Sequence, residues 1–196
     1  MPSNPSSPIP ESDCNEFVLR RDFRKVTEGS FDIREEVPGI HRLENVRVKA
    51  DLLCYPNEAL IARGFPSGWF VIETKRLDFA AHESKRFYEA FWQSVSYQQS
   101  EFIIDGKTIQ PVFTALVVNH QPNQRENAVF QAQKRRWQIL KELGVYANVG
   151  FFNLNAHDGW ELLFGQARFF HSARGLNSVP RGLRKYVGSR AIDSKA

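Results

Sequence analysis

Asp51 in the run VKADLL, with Glu73, Thr74 and Lys75 in WFVIETK, are the residues of this chain whose types and setting could do chemistry. Side chains two apart on a strand project from one face, so Glu73 and Lys75 point together, and a neighbouring strand would bring Asp51 within reach. Two carboxylates and one amine would then converge. Carboxylate oxygens are hard ligands suited to Mg²⁺, which keeps several waters and is held by one or two protein carboxylates plus a substrate phosphate. The Thr74 carbonyl would add a further oxygen, and Mn²⁺ could substitute for Mg²⁺. Lys75 beside that ion would position or deprotonate the attacking water, or offset charge developing on the phosphorane. The outline is that of a phosphodiesterase site with Asp51 and Glu73 as metal carboxylates.

An E-x-K string alone is weak, because with each residue type near ~6% of a chain it arises by chance between zero and one time here. Glu83-Ser84-Lys85 has the same spacing but falls at the start of a helical segment, where residues two apart diverge by roughly 200°. Context distinguishes the first copy: a strand setting, an apolar run before it, and an Asp in the middle of the preceding apolar strand. Charges in such strands are costly unless paired or metal-bound. The competing reading is an ion pair of Lys75 with Asp51 or Glu73 on a solvated face.

The elements that must position these residues follow from periodicity. Cys14 to about Lys25 suits a short amphipathic helix beginning near Asp13, with Phe17, Val18, Leu19 and Phe23 as its apolar positions. FDIREEV alternates from Phe31 to Val37 and stops at Pro38-Gly39; VRVKADLLCYP is a second strand ended by Pro56; WFVIETK is a third. After Asp78 the period changes, and Phe87, Ala90, Phe91 and Val95 mark a long helix running to about Gln99. PVFTALVVN reads as a strand buried on both faces, followed by a helix from about Asn127 to Leu143 ended by Gly144. ANVGFFNLN and GWELLFGQARFF close the order, which implies an α/β fold with a mixed central β-sheet flanked by helices.

The chain has 196 residues, 42% of them hydrophobic and 16 of them Phe, enough for one ordinary core. Residues 1–12 hold four prolines and four serines, a composition expected to form a flexible tail. Residues 13–170 would form the domain and 171–196 a basic C-terminal segment. Seven Lys or Arg lie between Arg168 and Ala196 against one Asp, so that stretch carries +6 while the rest sums to −2. Such a segment suits a phosphate backbone, and Arg181, Arg184 and Lys185 are its candidate nucleic-acid contacts. No apolar run approaches a membrane span and no basic-then-apolar leader opens the chain, so the expected location is the cytoplasm, without membrane contact. Two cysteines and five scattered histidines offer no zinc-ligand spacing, and no phosphate-binding glycine loop occurs.

Taken together, the order helix, three-strand meander, helix, strand over about residues 13–120 resembles the PD-(D/E)xK, or restriction-endonuclease-like, nuclease superfamily. Ala50-Asp51 stands for the PD half-motif, with Ala in place of Pro, and Glu73-Thr74-Lys75 for ExK. The resemblance implies a restriction-endonuclease-like core (αβββαβ) and a Mg²⁺-dependent enzyme that hydrolyses DNA, in which Asp51 and Glu73 bind metal and Lys75 assists the water. It also implies an extra acidic residue near the metal, for which Glu36 is chosen over Glu35, although alternation with Phe31, Ile33 and Val37 puts Glu35 on the apolar face. Gln93 and Tyr97 resemble the Q-x-x-x-Y element of the RecB and lambda-exonuclease branch, which would give Gln93 a catalytic and Tyr97 a nucleic-acid role. A homodimer, or a partner protein that delivers the substrate, is compatible with all of this. Two rivals stand beside it: a non-catalytic nucleic-acid-binding or scaffold protein on the same fold, and a nuclease for branched DNA or RNA.

Overall fold

The computed structural model describes residues 11–75, 84–118, 128–155, 159–165 and 167–177. Helix α1 (Glu11–Val26) leads into a meander of β1 (Phe31–His41), β2 (Val46–Pro56) and β3 (Phe70–Lys75), with the short helix α2 (Glu58–Ala62) between the last two. Helix α3 (Ser84–Tyr97), the hairpin β4 (Ser100–Ile104) and β5 (Lys107–Ile109), and strand β6 (Thr114–Val118) follow. Helix α4 (Ala128–Ala147) then precedes β7 (Val149–Asn155), β8 (Gly159–Phe164), β9 (Ala167–His171) and β10 (Gly175–Leu176). The strands form a single sheet in the order β10-β9-β8-β7-β6-β3-β2-β1-β4-β5. β3, β6 and β7 run parallel and the remaining neighbours antiparallel, so the chain is a mixed α/β protein.

Alternation along the central strands divides the core between two faces. Phe70 and Ile72 of β3, Ala115 and Val117 of β6 and Phe152 of β7 pack with Phe23 of α1. Val71 turns the other way, toward Tyr97 of α3, and Leu116 and Phe151 meet Ala90 and Phe91 of α3 and Leu140 of α4. The α1 face is strongly aromatic: Phe31, Phe65, Phe70, Phe152, Trp160 and Phe170 stack or meet edge to face. Among the described residues no helix is long and apolar enough to cross a membrane.

Several local expectations meet a tertiary correction. On α1, Leu19 and Phe23, four apart, are buried, whereas Phe17 is 68% exposed and Val18 exposed as well, because residues 100–200° away from that pair point off the sheet. β1 does not stop at Pro38-Gly39 but runs on to His41. Its ladder to β4 covers only Gly39 to His41, so Pro38 lies where the outer edge of β1 carries no partner strand and a missing N–H is tolerated. The β4–β5 hairpin escaped the periodicity reading, although its two-residue turn Asp105-Gly106, with φ of 50° and 76°, is a strong local hairpin signal. α4 passes through Gly144 and ends at Ala147, with Asn148 taking the left-handed position after it (φ 58°). Gly144 is required for closeness instead: a Cβ there would sit 2.5 Å from the Val149 carbonyl oxygen. GWELLFGQARFF is two strands, β8 and β9. Cys54 is buried and unpaired, and burial pushes its thiol well above the usual range.

Candidate active site

The site forms where β2 parts from β3 and its ladder to β1 is interrupted at one position. The β2–β3 ladder ends at Leu52↔Ile72, so the next opposed positions, Asp51 and Glu73, are not joined by backbone pairing. On the other side the β1–β2 register runs from Glu35↔Leu52 directly to Val37↔Ala50, leaving Glu36 opposite Asp51. Glu36 has φ 51°, a left-handed conformation rare outside glycine and asparagine. Here the strands turn over: Leu52 and Cys54 pack toward α1, yet Ala50 and Val37 pack with Val71 and Tyr97 on the α3 side, where strict alternation would have kept Ala50 with Leu52.

Asp51 takes over the hydrogen bonding that the ended ladder leaves. Its Oδ2 accepts from the Thr74 backbone N at 2.9 Å and from Thr74 Oγ1 at 2.6 Å. Its Oδ1 accepts from Arg20 Nη2 at 2.6 Å, a charge-assisted bond from α1. Arg20 also reaches Glu36 Oε1 through Nη1 and Thr74 Oγ1 through Nε, both at 3.3 Å. Thr74 therefore contributes its N–H and hydroxyl to Asp51 here. Glu36, rather than Glu35, joins this group, because the left-handed turn breaks the alternation that assigned Glu35 to the inner face; Glu35 instead pairs with Arg24. Lys49 Nζ stands 3.4 Å from Glu36 Oε2, and that charge, followed by the Arg20 hydrogen bond, lowers the Glu36 pKa.

Glu73 and Lys75 do meet, at 3.9 Å between Glu73 Oε1 and Lys75 Nζ, and Lys75 also lies 3.5 Å from Glu16 Oε1 of α1. Glu73 is only 4% exposed. Burial first, and then the charge of Asp51, push its pKa to about 8, against the opposing pull of Lys75 and Tyr97. Three cations, Arg20, Lys49 and Lys75, thus face four carboxyls, Glu16, Glu36, Asp51 and Glu73, and a proton on Glu73 balances the set. Tyr97 is turned inward, 5% exposed, and its hydroxyl donates to Lys49 O at 2.8 Å and to Glu73 Oε2 at 3.2 Å. It supports the site from beneath and offers no ring to a nucleic acid. Gln93, one turn earlier on α3, is exposed and has no hydrogen bond to this group among the described contacts. Arg181, Arg184 and Lys185 lie outside the described residues, as do residues 1–10 of the expected tail and His82, His120 and His157.

The residue that sequence reading missed is Arg20. Glu16, Arg20 and Arg24 recur every four residues on α1 and pair with Lys75, with Asp51 and Glu36, and with Glu35 respectively. Ionisable residues at that spacing beside a buried Leu19 and Phe23 were the available signal. Of the histidines, His41 and His171 each accept a backbone N–H through Nδ1, from Glu44 and Ala173. Among the described residues no three His, Cys, Asp or Glu side chains gather closely enough to hold a metal by themselves. Comparison with family models, with curated proteins and with solved structures finds no match to this chain.

Proposed function

We propose that this chain is a cytoplasmic Mg²⁺-dependent nuclease of the PD-(D/E)xK type that hydrolyses phosphodiester bonds of DNA. The observation that carries the reading is the gathering of Asp51, Glu73 and Lys75 where β2 parts from β3, with Glu73 buried and raised to about 8 by burial and by the Asp51 charge. A buried carboxyl beside a second carboxylate is a setting that a divalent cation relieves. The donor set fits Mg²⁺ in type, two hard carboxylates for an ion that takes its remaining ligands from water and phosphate, and Asp51 and Glu73 would hold it. Bound there, the ion would polarise the scissile phosphate and lower the pKa of a coordinated water.

The chain's own residues supply the rest. Lys75 holds its ammonium beside Glu73, where it orients the attacking water and offsets charge growing on the phosphate. Tyr97 fixes the Glu73 carboxyl by its hydroxyl, and Thr74 fixes Asp51 through two bonds to one oxygen, so both acids are held by groups of β3 and α3 before substrate arrives. A second reading, a nucleic-acid-binding protein that does not cut, is favoured by one observation: Arg20 occupies Asp51 Oδ1.

Incubation of the purified chain with linear double-stranded, single-stranded and supercoiled DNA, in Mg²⁺, Mn²⁺ or EDTA, tests both. Lys75→Ala is the informative variant, since among the described residues Lys75 makes two ion pairs, of 3.5 and 3.9 Å, and its loss leaves the Asp51 bonds intact. Metal-dependent cutting that disappears in this variant supports the nuclease; salt-sensitive DNA retention with no cutting of any substrate supports the binding protein.

A further inference from the structure

The two oxygens of Asp51 are used differently. Oδ2 is held by two donors of β3, the Thr74 N–H and hydroxyl, while Oδ1 has a single described partner, the Arg20 guanidinium. Arg20 in turn has a second carboxylate, Glu36, whose side chain is 55% exposed and lies toward solvent beside Lys49. The Arg20–Asp51 pair itself is partly open, with side-chain exposures of 20% and 14%. Arg20 can therefore leave Oδ1 without losing its only counter-ion; it gives up with that oxygen its 3.3 Å Nε contact to Thr74 Oγ1, whose hydroxyl and N–H still donate to Asp51 Oδ2.

We propose that Arg20 is an exchangeable counter-ion: it holds Asp51 Oδ1 while no divalent cation is bound, and on yielding that oxygen to the cation it swings on its Glu36 anchor to hold a phosphate of the nucleic acid. This inference rests on the metal-dependent reading above. A planar guanidinium presents N–H groups that match phosphate oxygens as well as carboxylate oxygens, so the exchange replaces the single Nη2 bond to Asp51 with bonds to a phosphate. Each binding event then favours the other, because the cation frees the phosphate-binding group and phosphate binding keeps Arg20 off the cation's oxygen. Arg20 is thus a positioning residue that couples cation to DNA, besides tying α1 to the sheet.

The experiment is calorimetric titration of the full chain with CaCl₂ and with MgCl₂, and retention of a short blunt DNA duplex in Ca²⁺ against EDTA, for wild type, Arg20→Met and Arg20→Lys. Arg20→Met should bind Ca²⁺ at least about fivefold more tightly than wild type, and its cation-induced gain in DNA affinity should shrink by at least about fivefold. Arg20→Lys keeps the charge but lacks the fork, so it should shift both quantities in the same direction by about half as much on a logarithmic scale. It decides the matter if circular dichroism shows Arg20→Met to be unfolded. Wild type that binds cation, with variants that bind it no more tightly, overturns the exchange and leaves the nuclease reading standing. Absence of cation binding in wild type and variants alike overturns both.

Discussion

Tyr97 Oη lies 3.2 Å from Glu73 Oε2 and 2.8 Å from the Lys49 carbonyl oxygen, so one hydroxyl proton faces two acceptors. The carbonyl can only accept, and it is the nearer; of the two forms of Glu73, the carboxylate gains more from the second contact. Tyr97 thus opposes the rise of the Glu73 pKa that burial and the Asp51 charge cause. Tyr97→Phe leaves the Lys49 carbonyl and the Glu73 carboxyl without this donor, and should destabilise the chain by about 1–2 kcal/mol in urea unfolding. It should also raise the Glu73 midpoint further, since the hydroxyl holds it down. An unchanged urea midpoint would show that the hydroxyl makes neither bond.

Glu73 also makes stability depend on pH in a direction opposite to that of a paired carboxylate. Its folded pKa of about 8 lies above the ordinary 4.5, so between those values the folded chain keeps a proton that the unfolded chain has lost. Stability from this group is full below about pH 4.5, falls as pH rises toward 8 and levels off above, at a slope of at most about 1.4 kcal/mol per unit. Glu73→Gln, neutral at every pH, should flatten that decline and be more stable than wild type in alkaline buffer. Urea unfolding in acid, neutral and alkaline buffers without divalent cation checks this, and an equal decline in the variant would falsify the assignment.

Asp51 is as much a structural residue as a candidate ligand. Asp51→Ala leaves the Thr74 N–H without its acceptor and Arg20 without its closest carboxylate, which should lower stability by about 2 kcal/mol. In a double-mutant cycle with Arg20→Met the two changes should be non-additive, the second costing less once the first is made. Additive losses would mean that the 2.6 Å pair is not formed in solution.

Gly39 binds β4 to the sheet by having no side chain. A Cβ there would lie 2.6 Å from the Glu101 carbonyl oxygen and 2.7 Å from the Phe102 ring, and the backbone oxygen cannot turn aside. Gly39→Ala should cost about 1–3 kcal/mol and raise amide exchange in β4 before the rest of the sheet. Uniform exchange across the sheet would argue against a local clash.

Phe65, in the connection between α2 and β3, is buried against Phe31, Phe70, Phe113, Trp160 and Phe170. Phe65→Ala should lower stability by about 3–5 kcal/mol, as large as any truncation in a regular element. A smaller loss, read from chemical unfolding, would mean that neighbouring rings close the space.

Local patterning was enough to identify part of this architecture and part of the site. Period-two alternation and turn residues made β1, β2 and β3 legible, the apolar run at 114–118 marked a central strand, and the E-x-K spacing placed Glu73 beside Lys75, because these are properties of residues close in the chain. Contacts between distant elements were not legible in the same way. Which helix lies over the opening of β2 is decided by burying Leu19 and Phe23, and only that docking carries Arg20 onto Asp51. The choice of Glu36 over Glu35 turned on one left-handed residue that breaks the alternation every pattern assumes. Tyr97, read as a nucleic-acid contact, is drawn inward because α3 packs on the sheet along Ala90, Ser94 and Tyr97, with Tyr97 against Val71 of β3. A periodic sequence specifies which way a side chain leaves its own strand or helix. What it meets there, and therefore its charge state and its chemistry, depends on long-range packing that the periodicity does not encode.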